Sequence, residues 1–197
     1  MNANLPNALT IARIAAVPLL IAVFYLPAPA ANWVALGLFL GASLTDWVDG
    51  WLARRWAQQS EFGKVLDPVA DKLLVAAALF MLAAFDRLSV ASIVAAIAIL
   101  GREILVSGLR EFLAGRATLP VTALAKWKTA AQMTAVGFLL VGPAAPWGVP
   151  AQLTGEIVLW IAAVLTLVTG WDYVRRGLDL MERDRIVRPK PGAGAAQ

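Results

Sequence analysis

Four aspartates lie close together within residues 43–80, between segments that are apolar enough to enter a lipid bilayer. Asp46 and Asp49 are three residues apart and Asp67 and Asp71 are four apart, so each pair lies on one face of a helix. Because a short connection joins the two helices, we expect antiparallel neighbours whose acidic faces meet. Four carboxylates that converge repel one another unless a cation lies between them.

The residue types in the chain restrict the nature of this cation. Histidine and cysteine are both absent, so zinc sites built on imidazole or thiolate and a disulfide framework are excluded. Ligation by oxygen alone favours Mg²⁺ or Mn²⁺, with Ca²⁺ as an alternative. Two such ions about 4 Å apart form the clamp that phosphoryl transfer uses. The sequence therefore predicts one or two divalent ions, Mg²⁺ or Mn²⁺ with Ca²⁺ as the alternative, between Asp46, Asp49, Asp67 and Asp71.

Small and basic residues lie between the two acidic pairs and could contact a substrate. Gly50, Ala53 and Gly63 allow the close approach of a substrate, although helix packing explains any single glycine equally well. Arg54 is suited to hold a phosphate through two hydrogen bonds. The alternative is that the acids are solvated helix ends or pair with nearby cations, which are Arg54, Arg55, Lys64 and Lys72. Four acids at helical spacing favour the metal site.

The composition is that of a membrane protein. Of the 197 residues, 60% are hydrophobic and only 15% are charged, whereas about a quarter of the residues of a soluble domain are charged. Six apolar segments have the length of a membrane span; they cover residues 8–25, 33–51, 66–85, 89–112, 124–141 and 153–173. The sequence predicts an all-α integral membrane protein, a bundle of six transmembrane helices. We expect one catalytic domain (residues 1–182) and a basic, disordered cytoplasmic tail (residues 183–197).

The distribution of basic residues predicts the orientation in the membrane. The connections "LPAPAAN" and "VGPAAPWGVPAQ" hold no Lys or Arg, whereas the connections on the other side are basic. The positive-inside rule then places both termini and the aspartates at the cytoplasmic side. The net charge of +4 suits anionic headgroups or phosphorylated substrates. Nucleic acid is not an expected partner, because the basic residues are scattered between spans. We expect no cleavable signal peptide.

The aspartate block carries a family resemblance. Its residue types and spacing match every position of the signature of the CDP-alcohol phosphotransferase family, at Asp46, Asp49, Gly50, Ala53, Arg54, Gly63, Asp67 and Asp71. The chain resembles that family, whose six-helix membrane enzymes, usually homodimers, displace CMP from a CDP-linked substrate with an alcohol. The resemblance implies that the first three aspartates ligate a metal pair. It implies that Asp71 also lies at the metals and is the base that deprotonates the acceptor hydroxyl.

The resemblance also implies the partners and the remaining binding residues. It extends over nearly the whole chain, through "REILVSGLREF" and "KWKTAAQM", and is greatest to bacterial members that join CDP-diacylglycerol to sn-glycerol 3-phosphate. It therefore implies a homodimer in the bacterial inner membrane, with the active site facing the cytoplasm. The residues that it assigns to the CDP-lipid are Asn7, Thr10, Arg13, Asp49, Gly50, Ala53, Arg54 and Gly63.

A phosphorylated acceptor requires cations, and the second half of the chain supplies four. Arg102 and Arg110 lie on the fourth segment, and Lys126 and Lys128 begin the fifth. An ionisable residue as deep in the span as Arg102 is a site candidate. Pairing of Arg102 with Glu103 is the structural alternative, although adjacent helical residues do not face each other. For the lysines the alternative is anchoring at the membrane surface.

Three other functional readings remain. A related enzyme that uses inositol phosphate, serine or phosphatidylglycerol as acceptor would share the aspartates. An aspartate- and Mg²⁺-dependent membrane prenyltransferase is expected to carry two separated acidic clusters, whereas this chain has one block. A cation transporter would need its acids near the middle of the bilayer, whereas these flank a cytoplasmic turn.

Overall fold

The computed structural model describes residues 5–56, 61–113 and 123–187, and all regular elements within these residues are helical. Six α-helices follow one another along the chain: α1 (Leu5–Val23), α2 (Ala30–Trp56), α3 (Glu61–Ala84), α4 (Val90–Leu113), α5 (Ala123–Val141) and α6 (Ala151–Val187). Two short 3₁₀ turns, Gly142–Ala144 and Pro146–Gly148, connect α5 to α6. The prediction of an all-α fold is confirmed for the described residues, and each predicted segment coincides with one helix.

The last helix is longer than the sixth apolar segment. We expected the segment to end at residue 173, whereas α6 continues to Val187 and has 37 residues. The apolar pattern ends near residue 173, but the following residues contain no proline before Pro189 and are mostly good helix formers. The predicted boundary between domain and tail, at residues 182 and 183, falls within this helix. The division into a domain and a tail stays a prediction.

The inner faces of all six helices form the core of the bundle. The closest packing joins α5 to α6, α4 to α6, and α1 to both α2 and α3. The largest fully buried apolar side chains are Leu20, Phe39, Leu74, Leu79, Leu82, Ile99, Leu139, Leu140 and Leu159. Every helix supplies at least one of these residues, so the described part of the chain packs around one core.

Two glycines on α6 allow it to approach α4 closely. A Cβ atom placed on Gly170 would lie 2.7 Å from Cγ of Arg102, and one on Gly177 would lie 2.8 Å from Cδ2 of Leu109. Both distances are too short for real carbon atoms, so a larger residue would push the helices apart. Small residues at helix contacts are typical of membrane bundles, where association depends on close packing. The contact at Gly170 fixes the position of α4 at Arg102.

The outer surface is apolar. Large hydrophobic side chains are exposed on the outward faces of several helices, for example Leu19, Val94, Ile97, Ile104, Ile157, Val164 and Leu167. Among the described residues, two helical stretches are long and apolar enough to cross a membrane, Val90–Glu111 and Ala151–Asp179. Apolar stretches of α1 and α2 (Leu9–Val23 and Ala30–Thr45) are shorter. Exposed apolar surface of this extent marks contact with lipid or protein, and with the two long stretches it indicates a membrane protein.

At one end of the bundle, a Schellman motif terminates α3 and directs Arg87 inward. Asp86 has a positive φ of 54°, and the Arg87 N–H donates to the Leu82 carbonyl at 2.8 Å. The guanidinium donates to Oδ1 of Asn32 at 2.6 Å and to the carbonyl of Leu140 at 2.9 Å. Burial lowers the pKa of Arg87 from its usual value, because desolvation penalises the charged form. These bonds connect α2, the end of α3 and α5.

At the same end, Ser89 is the N-cap of α4 and connects it to α6. Its Oγ accepts a hydrogen bond from the Ser92 N–H at 3.2 Å, as is typical of a serine N-cap. The Ser89 N–H donates to Oε1 of Glu156 at 3.0 Å, and the Ser92 hydroxyl donates to Oε2 of the same carboxylate at 2.7 Å. The start of α4 is therefore held by α6 at the end of the bundle that is remote from Arg102 and Arg110.

Candidate active site

Five cationic and two acidic side chains line one cavity at the opposite end of the bundle. The cavity has a volume of about 560 Å³ and lies between α3, α4, α5 and α6. The charged residues that line it are Asp71, Lys72, Arg102, Glu103, Arg110, Lys126 and Lys128. Because cations outnumber acids, the cavity suits an anionic ligand. The four cations that the sequence assigned to an acceptor phosphate, together with Asp71, all line this cavity.

Helix geometry explains why these residues meet. Arg102 and Arg110 are eight residues apart on α4, slightly more than two helical turns, so they lie on the same side of the helix. Lys126 and Lys128 lie in the first turns of α5, which begins at the same end of the bundle. Lys128 is buried, whereas Lys126 is exposed at the mouth of the cavity. The antiparallel order of α4 and α5 therefore puts the cations at one end of the bundle, and the packing of both helices against α6 brings them to one cavity.

Glu103 is the ionic partner of two of these cations. Its Oε1 accepts a hydrogen bond from Nη1 of Arg102 at 3.2 Å and another from Nζ of Lys128. The argument that adjacent residues on a helix do not pair is wrong at this position. Both side chains are long enough to bend around the helix, and Lys128 of α5 binds the same carboxylate oxygen from inside the cavity. The side chains of Arg102 and Lys128 are only 10% and 8% exposed, so this pair is largely shielded from solvent.

Tyr173 of α6 contacts both arginines of the cavity. Its hydroxyl accepts a hydrogen bond from Nη2 of Arg110 at 2.8 Å. The guanidinium carbons of Arg102 and Arg110 lie 5.6 and 5.1 Å from the centre of its ring, within the range of a cation–π contact. Arg102 also donates to Oγ1 of Thr169 at 3.1 Å. One buried aromatic side chain thus positions two guanidiniums beside each other.

Sequence reasoning missed Tyr173 and Glu103 as members of the site. The depth of an ionisable residue in an apolar segment was the available signal for Glu103, and we applied it to the neighbouring Arg102 alone. Tyr173 offered no comparable signal, because a tyrosine at the end of an apolar segment is typical of an interfacial anchor. Only the packing of α6 against α4 reveals that its ring faces the cavity.

Two of the three residues assigned to the CDP-lipid on α1 have described side chains, and both lie inside the bundle. Thr10 and Arg13 are both buried, and Nε of Arg13 donates to the carbonyl of Ala42 on α2 at 3.3 Å. Ala42 precedes Asp46 by one helical turn, so Arg13 lies close to the start of the aspartate block along α2. The side chain of Asn7 is outside the described residues. The role of these three residues stays a prediction.

Most of the aspartate block has a described backbone but no described side chains. It occupies the end of α2 and the beginning of α3, and the two helices pack against each other. Asp71 is the only one of the four acids whose side chain is described. Among the described side chains no group of three or more potential ligands meets, so the metal site stays a prediction. The predicted site residues whose side chains lie outside the described part are Asp46, Asp49, Gly50, Ala53, Arg54, Gly63 and Asp67.

An apolar groove lies beside the charged cavity. It has a volume of about 670 Å³, runs between α3 and α4, and is lined mainly by apolar residues, among them Val69, Leu73, Ala76, Phe80, Leu100 and Ile104. Lys72, Glu103, Ser107 and Arg110 line both the groove and the charged cavity. The two spaces therefore meet along α4. This arrangement suits chemistry on an amphipathic substrate, with an anionic part in the cavity next to a carboxylate.

Comparison with known proteins agrees with this geometry. The family model described as CDP-alcohol phosphatidyltransferase matches residues 3–168. A CDP-diacylglycerol–glycerol-3-phosphate 3-phosphatidyltransferase of Rickettsia bellii is 47% identical, with 89% of this chain and 96% of the relative covered. A relative of the same name from Cereibacter sphaeroides is 39% identical, with 94% and 100% covered. A CMP-forming cardiolipin synthase of Oryza sativa subsp. japonica is 42% identical, with 88% and 57% covered.

Proposed function

The chain belongs to the CDP-alcohol phosphatidyltransferase family, and from this premise we propose that it is a phosphatidylglycerophosphate synthase. It transfers the phosphatidyl group of CDP-diacylglycerol to sn-glycerol 3-phosphate and releases CMP. The names of the bacterial relatives support both substrates. The observation that carries the proposal is the cavity that collects Arg102, Arg110, Lys126 and Lys128 around Asp71.

The cationic cavity distinguishes among acceptors. A phosphate monoester carries about two negative charges near neutral pH, and arginine binds it through two parallel hydrogen bonds. Serine lacks a phosphate and carries an ammonium group, whose positive charge the cations of the cavity would repel. Five cations against two acids therefore favour a small phosphorylated alcohol as acceptor.

The donor is proposed to bind at the aspartate block. Its acyl chains remain in an apolar groove between helices, and Asn7, Thr10, Arg13 and the small residues around Arg54 hold the cytidine diphosphate. Asp46, Asp49, Asp67 and Asp71 would hold two divalent ions, Mg²⁺ or Mn²⁺, which offset the charge of the diphosphate and of the departing CMP. The donor set fits these metals, because it consists of carboxylate oxygens on two helices in contact.

The acceptor is proposed to react in one direct displacement. Arg110, held by Tyr173, binds the phosphate together with Lys126 and the pair of Arg102 and Lys128. Asp71 takes the proton of the primary hydroxyl, whose oxygen attacks the β-phosphorus of the donor as the bond to CMP breaks. The protein's contribution is mostly positioning and electrostatic stabilisation, as in other phosphoryl transfers.

The finer features of topology belong to the same proposal. All six helices cross the bacterial inner membrane, both termini and the charged cavity face the cytoplasm, and residues 1–182 form the catalytic domain, with the basic tail of residues 183–197 following. The cations at the cavity end of α4 and α5 support this orientation by the positive-inside rule. The homodimer implied by the family resemblance completes the proposal, and the mass of the protein in detergent solution would test it.

The test of the function is a comparison of acceptors. The purified protein is incubated with CDP-diacylglycerol and Mg²⁺, and CMP release is measured with sn-glycerol 3-phosphate, inositol phosphate, serine or phosphatidylglycerol, and without acceptor. Of these acceptors, we expect only sn-glycerol 3-phosphate to give rapid CMP release, together with formation of phosphatidylglycerophosphate. Faster release with phosphatidylglycerol would instead assign the reaction of the rice relative, and no release with any acceptor would contradict the proposal.

Removal of divalent ions tests the metal proposal separately. A chelator should stop CMP release with both substrates present, and added Mg²⁺ or Mn²⁺ should restore it, because carboxylate oxygens are ligands that suit these ions. Undiminished turnover in the chelator would contradict a metal site in the aspartate block.

A further inference from the structure

We infer that Glu103 is a specificity-determining residue whose carboxylate accepts a hydrogen bond from a non-reacting hydroxyl of a phosphorylated polyol acceptor. The inference rests on the proposed function and deepens it. The juxtaposition that carries it is a carboxylate that lines the charged cavity and is fixed on one oxygen by Arg102 and Lys128, while its second oxygen accepts no hydrogen bond from the described residues.

The orientation of the carboxylate is set by its two cationic partners. Both hydrogen bonds of Glu103 go to Oε1, one from Nη1 of Arg102 at 3.2 Å and one from Nζ of Lys128. Within the described residues, Oε2 accepts no hydrogen bond. The side chain is 18% exposed, and it lines the cavity. A carboxylate offers about four acceptor positions, so Oε2 is free to bind a donor group of a ligand.

The chemistry of the acceptor supplies such a donor. In sn-glycerol 3-phosphate the phosphate interacts with cations, and the primary hydroxyl reacts, which leaves the secondary hydroxyl. This group needs a hydrogen-bond acceptor when it leaves water. The acidic residues that line the cavity are Asp71 and Glu103. Since Asp71 is proposed to bind the reacting hydroxyl, Glu103 remains for the other.

Neighbouring hydroxyl groups are weaker candidates for this role. Oγ1 of Thr129 donates to the carbonyl of Ala125 at 3.1 Å, as is typical of a threonine on a helix, and its lone pairs can accept only as those of a neutral group. Ser107 lies one turn after Glu103 on the same side of α4 and also lines the cavity. A hydrogen bond to a charged carboxylate is about twice as strong as one to a neutral hydroxyl. Ser107 is therefore the natural comparison in a test.

A truncated acceptor provides the probe. 3-Hydroxypropyl phosphate keeps the phosphate and the primary hydroxyl of sn-glycerol 3-phosphate but lacks the secondary hydroxyl. We measure kcat/KM for both acceptors with each protein, so that the ratio is independent of the amount of active enzyme. A hydrogen bond to a charged group corresponds to about tenfold to a hundredfold in this ratio. The unmodified protein should show a preference of this size for sn-glycerol 3-phosphate.

The variants assign the preference to one side chain. Glu103→Ala should reduce the ratio of the two kcat/KM values to between about 1 and about 3. Glu103→Gln, which keeps the size of the side chain, should reduce this ratio to an intermediate value. Ser107→Ala should keep the full preference. If Glu103→Ala does not fold, Glu103→Gln alone decides the question.

Three results would overturn the inference while leaving the proposed function intact. They are no preference in the unmodified protein, an equal loss of kcat/KM for both acceptors in the Glu103 variants, and a loss of preference in Ser107→Ala instead. An equal loss would mean that Glu103 only positions Arg102 and Lys128. Absence of CMP release from the unmodified protein with sn-glycerol 3-phosphate would contradict the proposed function itself.

Discussion

At the level of single residues, Asp71 connects the aspartate block to the charged cavity. It belongs to the four-acid signature and also lines the cavity where the four cations that we propose to bind the acceptor phosphate meet. We expect Asp71→Asn to lower kcat for CMP release by at least about a hundredfold, because a positioned general base contributes about 10²–10⁴-fold. Binding of CDP-diacylglycerol, measured by titration with the lipid in detergent, should change little.

A matched variant separates this effect from a general loss of charge. Asp86→Asn makes the same chemical change at the opposite end of the bundle, at an exposed position whose positive φ asparagine tolerates. It should retain normal turnover. Normal turnover of Asp71→Asn would refute its assignment as the base.

Arg110 is a cation of the cavity whose guanidinium is held in place by a defined neighbour, Tyr173. Because Tyr173 binds it by a hydrogen bond of 2.8 Å and by its ring, Arg110→Ala should raise KM for sn-glycerol 3-phosphate by about tenfold or more. KM for CDP-diacylglycerol should change far less. Tyr173→Phe, which keeps the ring but removes the hydroxyl, should give a smaller rise in the same constant. Steady-state kinetics with each substrate varied measures both.

Arg176→Ala is the control, since this exposed arginine of α6 is not among the residues that line the cavity. An equal rise in KM for both substrates in Arg110→Ala would contradict a role in binding the acceptor phosphate.

At the level of helices, the close approach of α6 to α4 determines the shape of the cavity. A methyl group on Gly170 would collide with Cγ of Arg102 at 2.7 Å, at the base of the side chain, where the arginine cannot simply swing away. We expect Gly170→Ala to destabilise the protein by about 1–3 kcal/mol and to raise KM for sn-glycerol 3-phosphate. Thermal unfolding in detergent and steady-state kinetics measure the two effects.

Gly101→Ala is the matched control on the partner helix, because nothing lies within 4 Å of the added carbon. Alanine also favours a helix over glycine, so this variant should be as stable as the original or more so. A stable Gly170→Ala variant with unchanged kinetics would show that the two helices do not rely on this contact.

The sequence could predict the helices and their charged ends, but not the contacts between helices. Apolar runs separated by proline, glycine and charge predicted all six helices, because membrane spans must satisfy their backbone internally. The four cations of the cavity were predictable, because Arg102 lies deep in an apolar segment and the other three lie near the same end of the fourth and fifth segments. The pairing of Glu103 with Lys128 and the position of Tyr173 between two arginines were not. They depend on the rotation of α5 and α6 about their axes, which the spacing of residues along one helix does not determine.

At the level of the whole molecule, polar features divide between the two ends of the bundle. One end holds the charged cavity, and the other is closed by Arg87 with Asn32 and by Glu156 with two serines. One exposed tryptophan, Trp160, lies within the apolar stretch of α6. The other three in the described residues lie towards the ends, with Trp33 in the first turn of α2 and Trp127 and Trp171 near the cavity. Such aromatic residues are typical of the two membrane interfaces. These tryptophans agree with a bundle whose two ends lie at the two faces of a membrane.

The absence of cysteine allows this orientation to be tested by labelling. Val149 precedes α6 and is 41% exposed, and Asp179 is exposed about 40 Å further along the helix, close to the thickness of a bilayer with its headgroups. In intact cells a membrane-impermeant maleimide should label Val149→Cys but not Asp179→Cys, which should react only after the membrane is opened. The unmodified protein, which lacks a thiol, should stay unlabelled throughout. The reverse pattern would place the charged cavity outside the cell, away from cytoplasmic sn-glycerol 3-phosphate, and labelling of both variants in intact cells would mean that α6 does not cross the membrane.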